Sequence, residues 1–216
     1  NSAVTIADKN ATSTTLAGTI TSVALNNYGN STVDSNGLAT VNLSGTGGTM
    51  GITTDSRTTA LATTLALNVN GLSAPADNTI TVDSDVTTLN ITSSTAASTV
   101  TALIASGATT VNVAGDAKLT LTGNTLGAAT AINVTNTAGA VFGTTAIGTG
   151  VTFTGGAGAD SVILSNAFTK AITMGDGDDT VTYGGAAGTG GSVAAGNGTD
   201  TIAMTAAQAA AADDNS

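Results

Sequence analysis

The chain lacks the side chains on which most enzyme mechanisms depend. Its 216 residues contain no cysteine, no histidine, no tryptophan and no glutamate, and only one proline. Without histidine or cysteine, the serine–histidine and cysteine–histidine pairs of hydrolases cannot form, and neither can a zinc site built on histidine. The sequence also has no HExxH motif and no Walker phosphate loop. We therefore expect that this chain is not an enzyme.

Charge is scarce and almost entirely of one sign. Charged residues make up 8% of the chain, against about 25% in a typical globular protein. All 14 acids are aspartates, and the net charge is −10. This balance disfavours nucleic acid or an anionic membrane surface as a partner, and divalent cations are the natural counter-charge. The basic residues are Lys9, Arg57, Lys118 and Lys170.

Targeting signals are missing as well. No apolar run approaches the ~18 residues of a membrane span, and no charged and apolar pair of segments marks a signal peptide at the start. Absence of cysteine is compatible with an extracellular protein that is stabilised by metal rather than by disulfides. Because the chain begins with Asn1 and ends in AAAADDNS, we expect it to be a piece of a longer protein.

The chain does contain a nine-residue pattern, repeated three times near its C-terminal end. The pattern is GGxGxDxUx, in which U is a large aliphatic residue. Residues 155–163 read GGAGADSVI and match at every specified position. Residues 174–182 read MGDGDDTVT and residues 195–203 read AGNGTDTIA, and each lacks only the first glycine. We call residues 155–160, 174–179 and 195–200 the first, second and third loops.

The spacing of the three loops predicts that they stack. Their sixth positions are Asp160, Asp179 and Asp200, so the steps are 19 and 21 residues. Two nonapeptides form one coil of about 18 residues, a six-residue loop being followed by a short strand. A step of 19 to 21 residues is one slightly enlarged coil, which places successive loops on the same edge about 4.8 Å apart.

Stacked loops of this composition predict a calcium site. Glycine allows backbone angles that other residues avoid, so that loop carbonyls can turn toward an ion, and aspartate supplies the charged oxygen that a hard cation prefers. An ion between neighbouring loops takes oxygens from both, so three loops give two positions. The candidate metal-binding residues are Gly155, Gly156, Ala157, Gly158 and Asp160, then Gly175, Asp176, Gly177, Asp178 and Asp179, and finally Gly196, Asn197, Gly198 and Asp200.

In these residues the chain resembles the RTX proteins, whose calcium-binding parallel β-roll forms after type I secretion. The strict match covers about 50 residues. The low-charge, cysteine-free remainder, rich in Thr, Ala, Gly and Asn, is similar to the RTX-type surface-layer (S-layer) proteins of Gram-negative bacteria such as Caulobacter. The resemblance implies Ca²⁺ as the bound ion, a secreted protein at the extracellular cell surface, and assembly with copies of itself into a lattice. It also implies anchoring to surface polysaccharide, in which regions outside this chain can take part, with no membrane insertion.

A longer ladder of aliphatic residues extends the coil toward the N-terminus. Its rungs are an aliphatic, a polar residue and a second aliphatic, with asparagine most often in the middle, at steps of 26, 22, 22, 21, 19, 21 and 21 residues. The rungs begin at Val41, Leu67, Leu89, Val111, Ile132, Val151, Ile172 and Val193. A second ladder lies half a coil away and contains Ile80, Val82, Val100, Leu119, Leu121, Val141, Val162, Leu164, Val181, Tyr183, Ile202 and Met204.

Such a fixed period is typical of a solenoid. Two strands in each coil of about 21 residues predict an all-β fold, a right-handed parallel β-helix or β-roll. Alternation places the aliphatic side chains inward and Thr, Asn or Ser outward. We expect Val, Ile, Leu and Ala to fill the interior, with Phe142, Phe153 and Phe168 as the rare large fillers.

The ladders divide the chain into four parts. Residues 1–40 form an N-terminal β segment or cap whose register the sequence leaves open. Residues 41–150 form a metal-poor solenoid, and residues 151–204 form the calcium-binding roll. Residues 205–216 have the composition of a short helix and form a tail or cap.

Acids outside the three loops have simpler interpretations. We expect Asp116 to be a solvated turn residue. Asp83 and Asp85 fit either a lone calcium site or a polar strand end, and the strand end is the simpler choice. Because the opposite corners near residues 165–166 and 184–191 carry no acid, we expect metal on one edge of the roll only.

Other functions have less support in the sequence. Paired carboxylates can serve glycoside chemistry, but most of the acids lie in the loops and Arg57 stands alone. Ice binding needs Thr-x-Thr strands on one face, whereas these occur at 120–122 and 180–182 on the second ladder and at 152–154 on the first. The main alternative to a structural S-layer protein is the calcium-binding RTX domain of a secreted adhesin, toxin or enzyme.

Overall fold

The computed structural model describes residues 1–54, 63–73, 77–187, 189–206 and 208–209. Nearly all of the regular structure is β-strand, and the strands fall into two sheets. The ten-stranded sheet contains β1 (Thr5–Ala7), β3 (Ser31–Asp34), β5 (Met50–Thr53), β7 (Ile80–Val82), β9 (Ser98–Ile104), β11 (Leu119–Thr125), β13 (Ala140–Phe142), β15 (Ser161–Leu164), β17 (Thr180–Tyr183) and β19 (Thr201–Ala203). The nine-stranded sheet contains β2 (Ser22–Tyr28), β4 (Thr40–Gly47), β6 (Thr64–Ser73), β8 (Thr88–Ser93), β10 (Thr110–Gly115), β12 (Ala131–Val134), β14 (Thr152–Thr154), β16 (Ala171–Thr173) and β18 (Ser192–Ala194).

The chain alternates between the two sheets, so each coil contributes one strand to each. Odd-numbered strands follow one another across the ten-stranded sheet, and even-numbered strands follow one another across the nine-stranded sheet. The paired strands are parallel, as in the pairing of β10 with β8 and with β12. The predicted all-β parallel solenoid with coils of about 21 residues is confirmed. The right hand of the coil stays a prediction.

The core lies between the two sheets and is made of aliphatic side chains in stacked columns. Leu89 pairs with Val111, and Val111 pairs with Ile132; all three are 0% exposed. Burial alternates along the strands, so that the residues between them face outward. Each inward column is therefore a continuous apolar stack that no single coil can bury alone.

Three predicted registers in the first ladder are wrong by two residues. Leu89 pairs with Leu65 rather than with Leu67, and both Ile132 and Ile172 pair with Phe153 rather than with Val151. The ten-residue strand β6 is long enough to meet β4 and β8 in different registers. Val151 is buried just before β14. Because a slip of two residues keeps every side chain on the same face, the set of inward residues survives the error.

One residue of the second ladder, Val141, is predicted to face inward but faces outward. Val141 pairs with Ser161 and stands beside Thr120 of the preceding coil, so it faces outward and is only half-buried. Its neighbours Ala140 and Phe142 are the inward residues of this strand, each 0% exposed. Hydrophobicity alone favoured the valine, but the pairing with β11 decides the face.

Asparagine side chains form ladders on the outer face of the nine-stranded sheet. The amide Nδ2 of Asn68 donates to Oδ1 of Asn42 at 2.9 Å. In later coils, Asn112 donates to Asn90 at 2.7 Å and Asn133 donates to Asn112 at 2.9 Å. The two ladders are separate, because the register of β6 and β8 places Asn68 beside Thr92 and Asn90 beside Ala66.

Residues 1–40 continue the same two sheets. Val23 and Leu25 pair with Val41 and Leu43 in the nine-stranded sheet, and Thr5 pairs with Thr32 in the other. The register that the sequence left open is thus set by in-line pairing with the following coils. A bulge after Asn26 shifts the register of β2 on β4 and adds a local bend.

The end of the described chain turns into a helix. Thr205 Oγ1 accepts a hydrogen bond from the Gln208 backbone at 3.3 Å, and Gln208 Oε1 accepts one from the Thr205 backbone at 2.6 Å. This reciprocal pair is a capping box, which favours helix initiation. Ile202 and Met204, predicted in the inward ladder, are 39% and 38% exposed. Arg57 and residues 210–216 of the predicted tail lie outside the described residues.

Large aromatic side chains fill part of the interior between the two sheets. Phe142 and Phe153, from opposite sheets, meet edge to face with ring centroids 5.7 Å apart. Phe168 meets Tyr183 in the same manner at 5.5 Å. The three phenylalanines are at most 1% exposed, as the sequence predicted.

Truncating one of these rings tests the packing. We expect Phe153→Ala to lower the free energy of unfolding by about 3–5 kcal/mol, because it removes a buried ring and leaves a cavity between the sheets. The neighbouring side chain of Thr154 is exposed, so Thr154→Ala should change it by less than about 0.5 kcal/mol. Chemical denaturation in calcium-containing buffer measures both, and equal losses would contradict this packing.

Candidate metal site

The three glycine-rich loops lie on one edge of the solenoid, where the chain crosses from the nine-stranded to the ten-stranded sheet. They link β14 to β15, β16 to β17, and β18 to β19. The flanking strands are in register: Phe153 pairs with Ile172 and Ile172 with Val193, while Ser161 pairs with Thr180 and Thr180 with Thr201. Equivalent loop positions therefore stack from coil to coil, as the 19- and 21-residue steps predict.

The sixth-position aspartates form a column that joins successive coils. Asp160 Oδ1 accepts the backbone N–H of Ala140 at 2.7 Å. Asp179 Oδ1 accepts the N–H of Asp160 at 2.7 Å, and Asp200 Oδ1 accepts the N–H of Asp179 at 3.1 Å. Each carboxylate thus satisfies a donor of the preceding coil, a structural role that the pattern alone did not indicate.

The second carboxylate oxygens of this column are not equally satisfied. Asp160 and Asp179 are each 1% exposed, and Asp200 is half-buried. Asp160 Oδ2 accepts the N–H of Gly156 at 3.1 Å. The Oδ2 atom of Asp179 is buried and has no hydrogen-bond partner. A buried carboxylate oxygen without a partner carries a desolvation cost that a cation would offset.

Burial also shifts the acidity of these groups. Desolvation raises the pKa of Asp160, against the opposing effect of its backbone hydrogen bonds. Desolvation raises the pKa of Asp179 to about 6, and the nearby charges of Asp160, Asp200 and Asp178 add to the rise. Burial therefore disfavours the ionised forms of both carboxylates.

Glycines in the second and third loops adopt conformations that other residues rarely take. The φ angles of Gly175 and Gly177 are +97° and +122°, and those of Gly196 and Gly198 are +99° and +134°. A Cβ on Gly196 would overlap the carbonyl oxygen of Gly175, and a Cβ on Gly198 would overlap that of Gly177. The two loops thus share one backbone form and stack without space for side chains.

The first loop differs, although it matches the sequence pattern best. Gly156 and Gly158 occupy the positions of Gly175 and Gly177 but lie outside the left-handed region. Glycine is needed at these positions because there is no space for a side chain. A Cβ on Gly158 would overlap the backbone of Gly139 in the preceding coil. The three loops are therefore stacked but not equivalent, and the sequence showed no sign of this difference.

The remaining acids of the second loop point away from the column. Asp176 and Asp178 are exposed. Asp176 Oδ1 accepts from Nδ2 of Asn197 at 2.7 Å, and Asp178 Oδ1 accepts from the N–H of Thr199 at 2.8 Å. These bonds tie the second loop to the third. Ala157 of the first loop is also exposed.

The candidate ligand set fits a hard cation in its chemistry. Every candidate donor is an oxygen, from a carboxylate, an amide or a backbone carbonyl, and calcium takes six to eight such ligands. Within the described parts of the chain, no three acidic side chains gather around a single point. Backbone carbonyls of the glycine loops would thus supply most of the ligands, with the buried Asp160 and Asp179 supplying the charge.

Two acids outside the loops, Asp116 and Asp83, accept backbone hydrogen bonds from neighbouring coils. Asp116 is exposed and accepts the N–H of Thr95 at 3.0 Å. Asp83 Oδ2 accepts the N–H of Thr54 at 2.6 Å, and its Oδ1 accepts the N–H of Asp85 at 3.0 Å. Asp116 lies between β10 and β11, and Asp83 directly follows β7.

One buried acid, Asp8, lies outside the repeats and is not predicted from the sequence. Asp8, 5% exposed, lies on the opposite edge and accepts hydrogen bonds from the backbone N–H groups of Asn10, Thr19 and Ile20 at 2.6–2.7 Å. The Asn10 bond makes the largest contribution to lowering the pKa of Asp8. The Asp-x-Asn spacing is an Asx-turn signal that marks the first of these bonds.

No protein-family model matches the chain, and no curated protein sequence matches it. In the portion of the chain that the structure describes, no helix has the length and apolar character needed to cross a membrane. Fold and site geometry therefore carry the functional conclusion.

Acidification tests the cost of ionising the buried Asp179 carboxylate. Because the pKa of folded Asp179 lies above its ordinary value of 3.8, the folded state keeps a proton that the unfolded chain releases between about pH 4 and pH 6. The stability of calcium-free protein should therefore fall as pH rises through this window. Melting temperatures measured across it check the sign.

A matched variant isolates the responsible carboxylate. Asp179→Asn keeps an oxygen for the N–H of Asp160 but removes the buried charge, so it should flatten the pH dependence and stabilise the calcium-free protein near neutral pH. Asp116→Asn removes an exposed charge from the same edge and should leave the pH profile unchanged. A wild-type profile that rises from pH 4 to 6 would contradict the assignment.

Proposed function

We propose that this chain is a calcium-dependent structural module of a secreted bacterial cell-surface protein. Its loops bind Ca²⁺ between stacked coils, and the ion completes folding of the C-terminal part of the solenoid. Folded copies then associate with one another into a surface layer. The observation that carries the proposal is the buried, unpaired Oδ2 of Asp179 within a column of stacked aspartates.

Calcium suits this column better than other common metals. Zinc and copper favour the nitrogen and sulfur ligands of histidine and cysteine, and the chain has neither residue. Magnesium demands near-ideal octahedral geometry and keeps much of its water. A ligand set of backbone carbonyls and carboxylates on loops matches the flexible oxygen coordination of calcium.

Binding of this kind couples folding to the compartment. Ordering the loops costs glycine conformational entropy and brings like charges together. An ion that binds only the folded form stabilises it by about 2.7 kcal/mol when present at a hundredfold excess over its dissociation constant. Extracellular calcium modules bind at about 10⁻⁴ to 10⁻³ M, so the loops would order outside the cell and remain open inside it.

The resemblance of the loops to RTX repeats extends this proposal. It supports export through type I secretion as an unfolded chain, followed by folding at the cell surface. The uncharged Thr, Ser and Asn faces and the S-layer-like composition support a role in a self-assembled lattice rather than in catalysis. Attachment to surface polysaccharide belongs to the same resemblance and involves regions beyond the loops.

Calcium titration tests the proposal directly. We expect an increase in β-sheet circular dichroism near millimolar calcium, followed by light scattering from ordered particles visible by electron microscopy. Magnesium at the same concentrations should give little of either signal. Because Asp179→Asn removes the unpaired charged oxygen, it should weaken the calcium response at least about tenfold in midpoint, a loss of about 1.4 kcal/mol.

The control and the contrary outcomes are well separated. Asp116→Asn should titrate like the wild type, because this acid lies outside the loops. Folding without assembly would instead favour the RTX domain of a secreted adhesin, toxin or enzyme. A chain that shows no calcium response at all would overturn the metal site and return the loops to ordinary turns.

A further inference from the structure

We propose that Asn197 is a site of spontaneous deamidation, and that the reaction turns the contact between the second and third loops from a hydrogen bond into a repulsion. Asparagine followed by glycine is the dipeptide most prone to this chemistry, since glycine leaves its backbone nitrogen free to approach the side-chain amide. The chain contains three such pairs, at 36–37, 70–71 and 197–198. Their surroundings differ sharply.

The pair at 36–37 is protected by burial. Asn36 is 1% exposed, and its amide is held on both sides. Nδ2 donates to the carbonyl oxygens of Asn10, Ser13 and Leu16 at 3.1–3.3 Å, while Oδ1 accepts a backbone N–H from Gly18. Turning this side chain toward its own backbone would break all of these bonds.

The pair at 70–71 is protected through its backbone. Both residues lie within β6, and the N–H of Gly71 donates to the carbonyl oxygen of Ala96 at 3.0 Å. The nitrogen that must attack the Asn70 side chain is therefore already bonded and fixed in a strand.

The pair at 197–198 has neither protection. Asn197 and Gly198 are both exposed, and the pair lies in a loop between β18 and β19. Within the described residues the N–H of Gly198 makes no hydrogen bond. Among the described residues the side chain makes one hydrogen bond, from Nδ2 to Asp176 Oδ1 at 2.7 Å, and this bond is also solvent-exposed.

The reaction requires only water. The Gly198 nitrogen loses its proton and attacks Cγ of Asn197, and the bond from Cγ to Nδ2 breaks, so that ammonia leaves and a five-membered succinimide remains. Water then opens the ring at either carbonyl. Opening at Cγ yields aspartate, and opening at the other carbonyl yields isoaspartate. Overall an amide and a water become a carboxylate and an ammonium ion.

The aspartate product changes the sign of an inter-coil contact. The donor Nδ2 that now bonds Asp176 is replaced by a negatively charged oxygen, so two carboxylates face each other across stacked loops. Like charges at this distance repel, and a divalent cation would relieve the repulsion. This consequence for cation binding rests on the proposed calcium function, whereas the chemical change does not.

The isoaspartate product disturbs the backbone instead. It inserts a methylene group into the main chain between Gly196 and Gly198, both of which stack too closely on the second loop to admit even a Cβ. The N–H of Asn197 also bonds the carbonyl of Gly175 at 2.9 Å, and its carbonyl accepts from Gly177 at 2.8 Å. A longer backbone cannot keep both bonds.

Peptide mapping by mass spectrometry tests the site. The purified chain is incubated in warm, mildly alkaline, calcium-free buffer, and the amide-to-acid mass gain is followed at all three pairs, with isoaspartate detected separately. We expect residue 197 to convert several times faster than residues 36 and 70, and Asn197→Gln to remove the signal. Conversion of Asn36 or Asn70 at an equal or higher rate, or an intact Asn197, would overturn the proposal.

Designed variants test the consequence without waiting for the reaction. Asn197→Asp mimics the main-chain-intact product and should lower the melting temperature in calcium-free buffer. The double variant Asn197→Asp with Asp176→Asn places the amide donor at position 176 and the carboxylate acceptor at position 197. It should regain the wild-type melting temperature. An unchanged melting temperature for Asn197→Asp would show that the contact does not respond to charge. These readouts need no calcium, so their failure is distinct from failure of the proposed metal site.

Discussion

Hydrogen bonding between successive coils is the interaction on which this structure depends. A single coil of about 21 residues has two short strands and too little apolar surface to form a core. Stacking in register solves both problems at once, since it pairs the backbone groups and aligns Leu89, Val111 and Ile132 into one inward column. The same stacking brings Asp160 beneath Asp179 and Asp179 beneath Asp200. The apolar core and the acidic edge therefore have one cause.

Periodicity made the fold predictable, because a residue and its neighbour one coil later occupy equivalent places. The alternation of the ladders was enough to derive two parallel strands per coil, and the steps of the aspartates were enough to stack the loops. The register between neighbouring strands was harder to predict. Leu65 and Leu67 both face inward on β6, so hydrophobicity cannot choose which of them meets Leu89. The prediction that Val141 faces inward is wrong because hydrophobic patterning ranks valine above alanine as a core residue.

The candidate site, too, could be predicted only in part. The identity of the column residues followed from the nonapeptide, but their hydrogen bonds did not, because those depend on the height of one coil above another. The first loop stacks on Gly139, in a corner that lacks the pattern, and its glycines lie outside the left-handed region. Asp8 is buried by a turn of its own outside any repeat, so periodicity gave no information about it.

The break between the two asparagine ladders has a mechanical consequence. Amide hydrogen bonds join β4 to β6 through Asn42 and Asn68, and they join β8, β10 and β12 through Asn90, Asn112 and Asn133. These bonds run in the same direction as the backbone bonds between coils. Tension along the solenoid axis is thus shared by side chains and backbone everywhere along these columns except between β6 and β8. Among the coils that these ladders span, the junction of β6 and β8 is therefore the one that asparagine side chains do not reinforce, and it divides the reinforced part of the solenoid into an N-terminal and a C-terminal stack.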